Sequence, residues 1–119
     1  MENELDIPIF QRIYALYKEL HLMRPSVVKQ DRFTIWQKVE SASLDMMEYT
    51  LLAIELRKEE KITPLRTVST KLNVTRFLIR LSYDVKAIDQ KKYIRLQKII
   101  DEIGRMLGGW IKSLQEPRR

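Results

Sequence analysis

Apolar residues recur every three or four positions along most of this chain, the period of an amphipathic helix, and four such segments stand out. The first is predicted over residues 8–23, with Ile9, Phe10, Ile13, Leu16, Tyr17 and Leu20 on one face. Pro8 suits a first helical position, with Asp6 or Ile7 near the cap. Arg24-Pro25-Ser26 should end it, since the residue before proline is pushed out of the helical region. The second is predicted over 32–56, with Asp31 as N-cap. The third spans 64–86 behind Thr63-Pro64, which reads as an N-cap followed by a first-turn proline. The fourth spans 90–114, capped by Asp89 and stopped by Pro117, beyond which Arg118 and Arg119 should fray.

The breadth of the apolar faces differs. The fourth segment has one stripe, including Leu96, Ile100, Ile103, Leu107, Trp110 and Leu114. The second has two arcs, one through Ile35, Val39, Ala42, Met46, Tyr49 and Ala53, the other through Trp36, Leu44, Met47, Leu51 and Ile54. The third also has two, one through Leu65, Val68, Leu72 and Ile79, the other through Val74, Phe77, Leu78, Leu81 and Val85. A four-helix bundle needs one inward stripe per helix. A second stripe either merges into a wide core face around Trp36 and Phe77 or is buried between subunits; oligomerisation is the favoured expectation.

Four helices of ~16–25 residues with short connections specify an all-α, antiparallel up-down-up-down four-helix bundle, one domain over residues 1–119. Strand-like alternation, internal repeats and low-complexity tracts are missing from the pattern. Composition agrees, since 3 Gly and 4 Pro are too few to punctuate a sheet protein with turns. No apolar run approaches a membrane span of about 18 residues, and MENELDIPIF is acidic with no apolar core, so neither a membrane segment nor a secretory signal is expected. The absence of Cys excludes disulfides, thiolate metal sites and thiol catalysis. A soluble cytoplasmic protein is the expectation.

Charge changes the picture more. The net charge of +6 is divided unevenly: residues 1–60 carry 8 Lys/Arg against 11 Asp/Glu, residues 61–119 carry 14 against 5. A basic half points to phosphates or to an acidic partner, although a solvated Lys-rich surface would look the same. At ~100° per residue, Lys91, Arg95, Lys98, Arg105 and Lys112 fall within one arc of the fourth helix opposite its apolar stripe, with Lys91 and Lys112 ~32 Å apart along the axis. Such a row can follow several phosphates without reading bases. Glu102 interrupts it, and Asp101-Glu102 reads as local charge balance. Arg76 and Arg80 form an i,i+4 pair on the third helix, with Arg66 on the same side. They either bind an anionic partner or pair across the bundle with acids such as Glu40 or Glu48. Gly104, Gly108 and Gly109 each cost a helix ~1 kcal/mol relative to Ala. Close helix packing beside Trp110, within or between subunits, is the expected compensation, with Arg105 projecting away.

Catalysis is not expected. His21 is the only histidine and has no neighbouring nucleophile or acid constellation. The carboxylates lack the Glu-x-x-His spacing of di-iron bundles, and no phosphate-cradling or dinucleotide-binding glycine motif is present. No metal or cofactor follows from the residues.

Asp89-Gln90-Lys91-Lys92-Tyr93, followed by Ile103-Gly104-Arg105-Met106-Leu107-Gly108-Gly109-Trp110-Ile111, resembles the C-terminal signature of the Avd family, the accessory variability proteins of diversity-generating retroelements. Pro8-Ile9-Phe10, Tyr14-x-Leu16-Tyr17, and Arg76-Phe77 with Arg80 are similar to the broader group, which includes four-helix proteins encoded in intervening sequences of ribosomal RNA genes. The resemblance implies a bundle assembling into a basic pentameric barrel. It also implies a noncatalytic protein that binds the retroelement reverse transcriptase and nucleic acid, RNA and possibly DNA, during mutagenic cDNA synthesis. Carried over by position, Arg76, Arg80 and Arg105 match the family's basic positions, and Lys91 and Lys92 its Lys-Lys pair. The net acidic N-terminal half is a departure that implies a narrower basic surface. A structural or interaction bundle of the intervening-sequence type, without a nucleic-acid role, is the alternative.

Overall fold

A computed structural model describes residues 7–115. Among these there are four α-helices and no strand: α1 Pro8–Met23, α2 Ile35–Glu55, α3 Ile62–Asp84 and α4 Gln90–Gln115. Each helix packs on its neighbours in sequence, and α1 closes the ring against α4. The antiparallel sense is visible in paired side chains. Arg12 meets Glu102 and Arg95 meets Glu19 across the α1–α4 seam, so one helix ascends as the other descends. The bundle measures 53 × 27 × 21 Å.

The core is built from the inward stripes: Ile13, Leu16 and Leu20 of α1, Val39 and Met46 of α2, Leu65, Val68 and Ile79 of α3, and Leu96, Ile100 and Ile103 of α4 are fully buried. Trp36 is fully buried too, and its indole Nε1 donates to the Leu20 carbonyl at 3.1 Å, which satisfies the polar edge of a large apolar ring. The doubled arcs have different fates. On α2 the second arc turns inward only in part: Trp36 is buried and Met47 packs against the core, Leu51 and Ile54 are half-buried, and Leu44 is 44% exposed. On α3 Leu78 packs against the core, whereas Val74, Leu81 and Val85 just past the helix are exposed, and Phe77 is 74% exposed. Phe77 therefore contributes nothing to a wide core face.

Helix ends depart from expectation where side chains compete for backbone. The α-helical ladder of α1 stops at Met23 because Pro25 has no N–H to donate. Yet Arg24 keeps helical angles (φ −48°, ψ −46°), and a 3-10 turn over Arg24–Ser26 carries the chain on to an extended Val27. Asp31 does not cap α2; it lies in a 3-10 turn, Lys29–Asp31. Helix α2 begins at Ile35 rather than residue 32, because Arg32 donates from Nε to the Val27 carbonyl (3.0 Å) and from Nη2 to that of Pro25 (2.7 Å), holding it in the loop. Helix α3 starts two residues early, at Ile62, which puts Pro64 at the third helical position, where the missing N–H would have had no partner anyway. Lys61 just before it donates from Nζ to the carbonyls of Ala53 (2.7 Å) and Ile54 (3.1 Å), stitching the end of α2 to the start of α3. Asp89 does cap α4, accepting from the Lys92 N–H at 2.9 Å. Pro8 sits in the first turn of α1, behind Ile7. Asp6, Pro117, Arg118 and Arg119 lie outside the described residues.

Helix α3 ends in a turn that reverses the chain into α4. The Ala87 N–H bonds to the Ser82 carbonyl (2.8 Å) and the Lys86 N–H to that of Tyr83 (3.0 Å), the paired closing bonds of a Schellman motif. Lys86 occupies its left-handed position with φ 64°, where glycine is the usual residue.

Candidate nucleic-acid interface

Helix geometry divides the cations of α4 by face. Leu96, Ile100, Ile103 and Leu107 point into the core. The flank beside α1 carries Arg95 and Glu102. There, Arg95 donates to Glu19 at 2.6 Å, and Glu102 accepts from Arg12 at 2.7 Å. The flank beside α3 carries Asp101, which accepts from Arg76. Between the flanks, facing solvent, stand Lys91, Lys98, Arg105 and Lys112, all exposed. They are spaced by seven residues, which returns each to nearly the same face ~10.5 Å further on. None of the four is paired with a carboxylate among the described residues. Asp101 and Glu102 thus balance Arg76 and Arg12 at the seams and leave the outer row its charge.

The eight basic residues singled out from sequence fall into two groups. Lys91, Lys98, Arg105 and Lys112 form the unpaired row. Arg76, Arg80, Lys92 and Arg95 each have a carboxylate partner: Asp101, Asp84 (3.0 Å), Asp89 (3.1 Å) and Glu19. Arg76 does pair across the bundle, but with Asp101 rather than the acids named as examples, Glu40 and Glu48, and Arg80 pairs with Asp84 on its own helix. Glu40 is 5% exposed on α2 and belongs to Arg24, which donates from Nε at 3.0 and 3.1 Å and from Nη2 as well. That contact to Glu40 also raises the Arg24 pKa.

Arg80 has a second attachment that sequence reasoning missed. Tyr83 of α3 and Tyr93 of α4 stack with ring centroids 4.7 Å apart and planes 9° from parallel. The Arg80 guanidinium carbon lies 6.0 and 5.8 Å from these rings, within cation–π range. Tyr93, and after it Asp84, raise the Arg80 pKa. Arg80 is thereby fixed to the α3–α4 seam. No spacing rule predicts the stack, because the two tyrosines meet only once the α3–α4 turn has folded. At the head of α4, the backbone N–H and side chain of Lys92 hold the Asp89 carboxyl below its usual pKa.

The three glycines differ in their surroundings. A Cβ on Gly104 would lie at ordinary contact distance, 3.5 Å from Arg76 Nη2 and 3.6 Å from Leu72 Cδ2. At Gly108 and Gly109 it would meet nothing within 4 Å. Of the two packings expected for them, the one inside the chain is therefore not seen at Gly108 and Gly109, which border the outer row near Arg105 and Lys112.

His21 is exposed on the last turn of α1, its ring 6.1 Å from that of Tyr17. Among the described residues no three His, Cys, Asp or Glu side chains gather where they could hold a metal ion. No described helix is long and apolar enough to cross a membrane.

Comparison with known proteins agrees with the helical framework. No curated protein matches the chain. A family model described as bAvd-like matches residues 8–114, from the first residue of α1 to the last turn of α4. With almost the whole bundle covered, including the row on α4 and the arginines of α3, this chain belongs to the bAvd-like family.

Proposed function

We propose that this protein is a noncatalytic accessory factor of a diversity-generating retroelement, which binds the element's reverse transcriptase in the cytoplasm and holds RNA, or an RNA–DNA hybrid, for mutagenic cDNA synthesis. Membership of the bAvd-like family supports the accessory role. The observation that carries the nucleic-acid part is the unpaired row Lys91, Lys98, Arg105 and Lys112, ~32 Å from end to end. Cations fixed along a straight helix attract a phosphate backbone, and since they touch no base edges they impose no sequence preference. Arg76, Arg80, Lys92 and Arg95 extend the basic field at the flanks, each weakened by its carboxylate.

The same reading includes assembly into a closed homo-oligomer, a pentameric barrel. The outer stripe of α3, with Val74, Phe77, Leu81 and Val85, is the surface such assembly would bury, since a contiguous apolar strip of this kind is disfavoured on a monomer. Light scattering that found only the 14.3 kDa chain would refute this part.

The nucleic-acid part is tested by titrating labelled single-stranded RNA at several salt concentrations. Each cation that neutralises a phosphate contributes about 0.7 to the log–log salt slope. Replacing Lys91, Lys98, Arg105 and Lys112 together with Ala should abolish most binding, and flatten the slope by up to about 3 for each chain touching the strand. Unchanged binding in that variant, or no binding by the unaltered protein at low salt, would refute it and favour an interaction bundle of the intervening-sequence type.

A further inference from the structure

The last turn of α1 and the first turns of α4 enclose an open groove of ≈ 710 Å³, whose walls include Glu19 and Leu22 on one side and Lys91, Ile94, Arg95 and Lys98 on the other. Two properties set it apart from the rest of the row. Leu22 is 72% exposed and Ile94 45%, so an aliphatic side chain stands bare on each wall. Cations outnumber acids around them: Lys92 also lines the groove, and Glu19 is the one carboxylate, already engaged by Arg95.

A phosphate backbone would satisfy Lys91 and Lys98 but leave Leu22 and Ile94 wet. Single-stranded nucleic acid covers apolar surface by stacking bases on aromatic rings, and this groove is lined by none. Its chemistry calls for a ligand that carries aliphatic groups and carboxylates together, at a fixed spacing. Lys91 and Lys98 are two helical turns apart, ~10.5 Å, with Ile94 between them. A helix laid along the groove presents its own residues i and i+7 at the same interval, and residues i+3 and i+4 between them on the same face.

From this we infer that the α1–α4 groove docks an acidic amphipathic helix of a partner protein, with Leu, Ile or Val of the partner against Leu22 and Ile94 and its Asp or Glu against Lys91 and Lys98. Charge complementarity fixes the partner's sign, and the aliphatic walls fix its class as protein rather than nucleic acid. Lys91 and Lys98 are shared with the row proposed for RNA, whereas Leu22 and Ile94 serve the helix alone and Arg105 and Lys112, outside the groove, serve RNA alone, so the two readings can be tested separately.

The test uses the full chain and three fluorescein-labelled peptides, read by anisotropy. One is an amphipathic peptide with Glu at i and i+7, Leu at i+3 and i+4, and Ala or Gln elsewhere; the second is its scramble; the third has each Leu replaced by Gln. The amphipathic peptide should bind at least threefold more tightly than either control. Leu22→Ser with Ile94→Ser should remove that margin while leaving RNA affinity within twofold. Lys91→Glu with Lys98→Glu should weaken the peptide at least tenfold. Arg105→Ala with Lys112→Ala should weaken RNA and spare the peptide. Equal binding of the three peptides, or a peptide margin that survives the double serine variant, overturns the inference. So does a loss of RNA binding in that variant, which would make the groove a nucleic-acid site. A change in its oligomeric mass also overturns it, by showing that the groove is a subunit contact. Failure of the RNA arm alone would count against the proposed function and not against the groove.

Discussion

Arg95 donates a hydrogen bond from Nη2 to Oε1 of Glu19 at 2.6 Å, bridging α4 to α1. Three residues further along α4, Lys98 has no carboxylate of the described residues within ion-pair distance. The two cations share one helix and nearly one face, and they differ in what their charge is already doing. A cation held by a fixed carboxylate has less to offer a phosphate, since the new contact competes with the old one.

This difference predicts an ordering among single variants. Lys98→Ala should lower RNA affinity by about two- to fivefold at low salt, as expected for one phosphate contact among several. Arg95→Ala should change it by less than about twofold. Glu19→Gln should raise affinity by releasing Arg95. Anisotropy titrations at one low salt concentration measure all three, and an Arg95→Ala defect larger than that of Lys98→Ala would contradict the assignment.

Among the described residues Glu40 is the one buried charged side chain, with Arg24 as its partner. Removing one member of a fully buried pair costs ~3–5 kcal/mol, but Arg24 is partly exposed and can turn to water. Glu40→Ala should therefore destabilise by about 1–3 kcal/mol. Urea unfolding followed by circular dichroism reads this directly. RNA binding of the folded fraction should not change, since Glu40 is remote from the outer row of α4.

Gly108 and Gly109 leave helix stability unused inside one chain, because added methyl groups would meet nothing there. Gly108→Ala and Gly109→Ala should each stabilise an isolated chain by ~1 kcal/mol. If another chain approaches this stretch closely, the same substitutions should weaken assembly. Thermal unfolding and light scattering on the same samples separate the two effects, and a rise in melting temperature with unchanged mass would show that no close subunit contact forms there.

Lys86 holds a left-handed conformation at the end of α3. A side chain in that region costs roughly 1–2 kcal/mol, part of which glycine gives back through a freer unfolded chain. Lys86→Gly should stabilise by ~0.5–1 kcal/mol with the fold unchanged. A loss of stability in urea unfolding would indicate that the lysine side chain makes a compensating contact.

Much of this protein could be read from its linear pattern. The 3-4 spacing of Ile13, Leu16 and Leu20, and of Leu96, Ile100, Ile103 and Leu107, dictates inward faces, because burying those side chains is the dominant gain on folding whatever their neighbours are. Asp89 was legible as a cap because an N-cap bond is local, reaching only three residues. The start of α2 was not, because Arg32 is drawn to carbonyls five and seven residues back by a loop that only the folded end of the bundle shapes. The basic row was legible as an arc, but its composition was not. Whether Arg95 or Lys98 keeps its charge for a ligand depends on Glu19, which is 76 residues away from Arg95 in sequence and beside it in space. The two arcs of α3 and of α2 look alike in sequence. Tertiary packing buries Trp36 and leaves Phe77 outside, because a bundle of four helices has one interior, and each helix can turn only one side toward it.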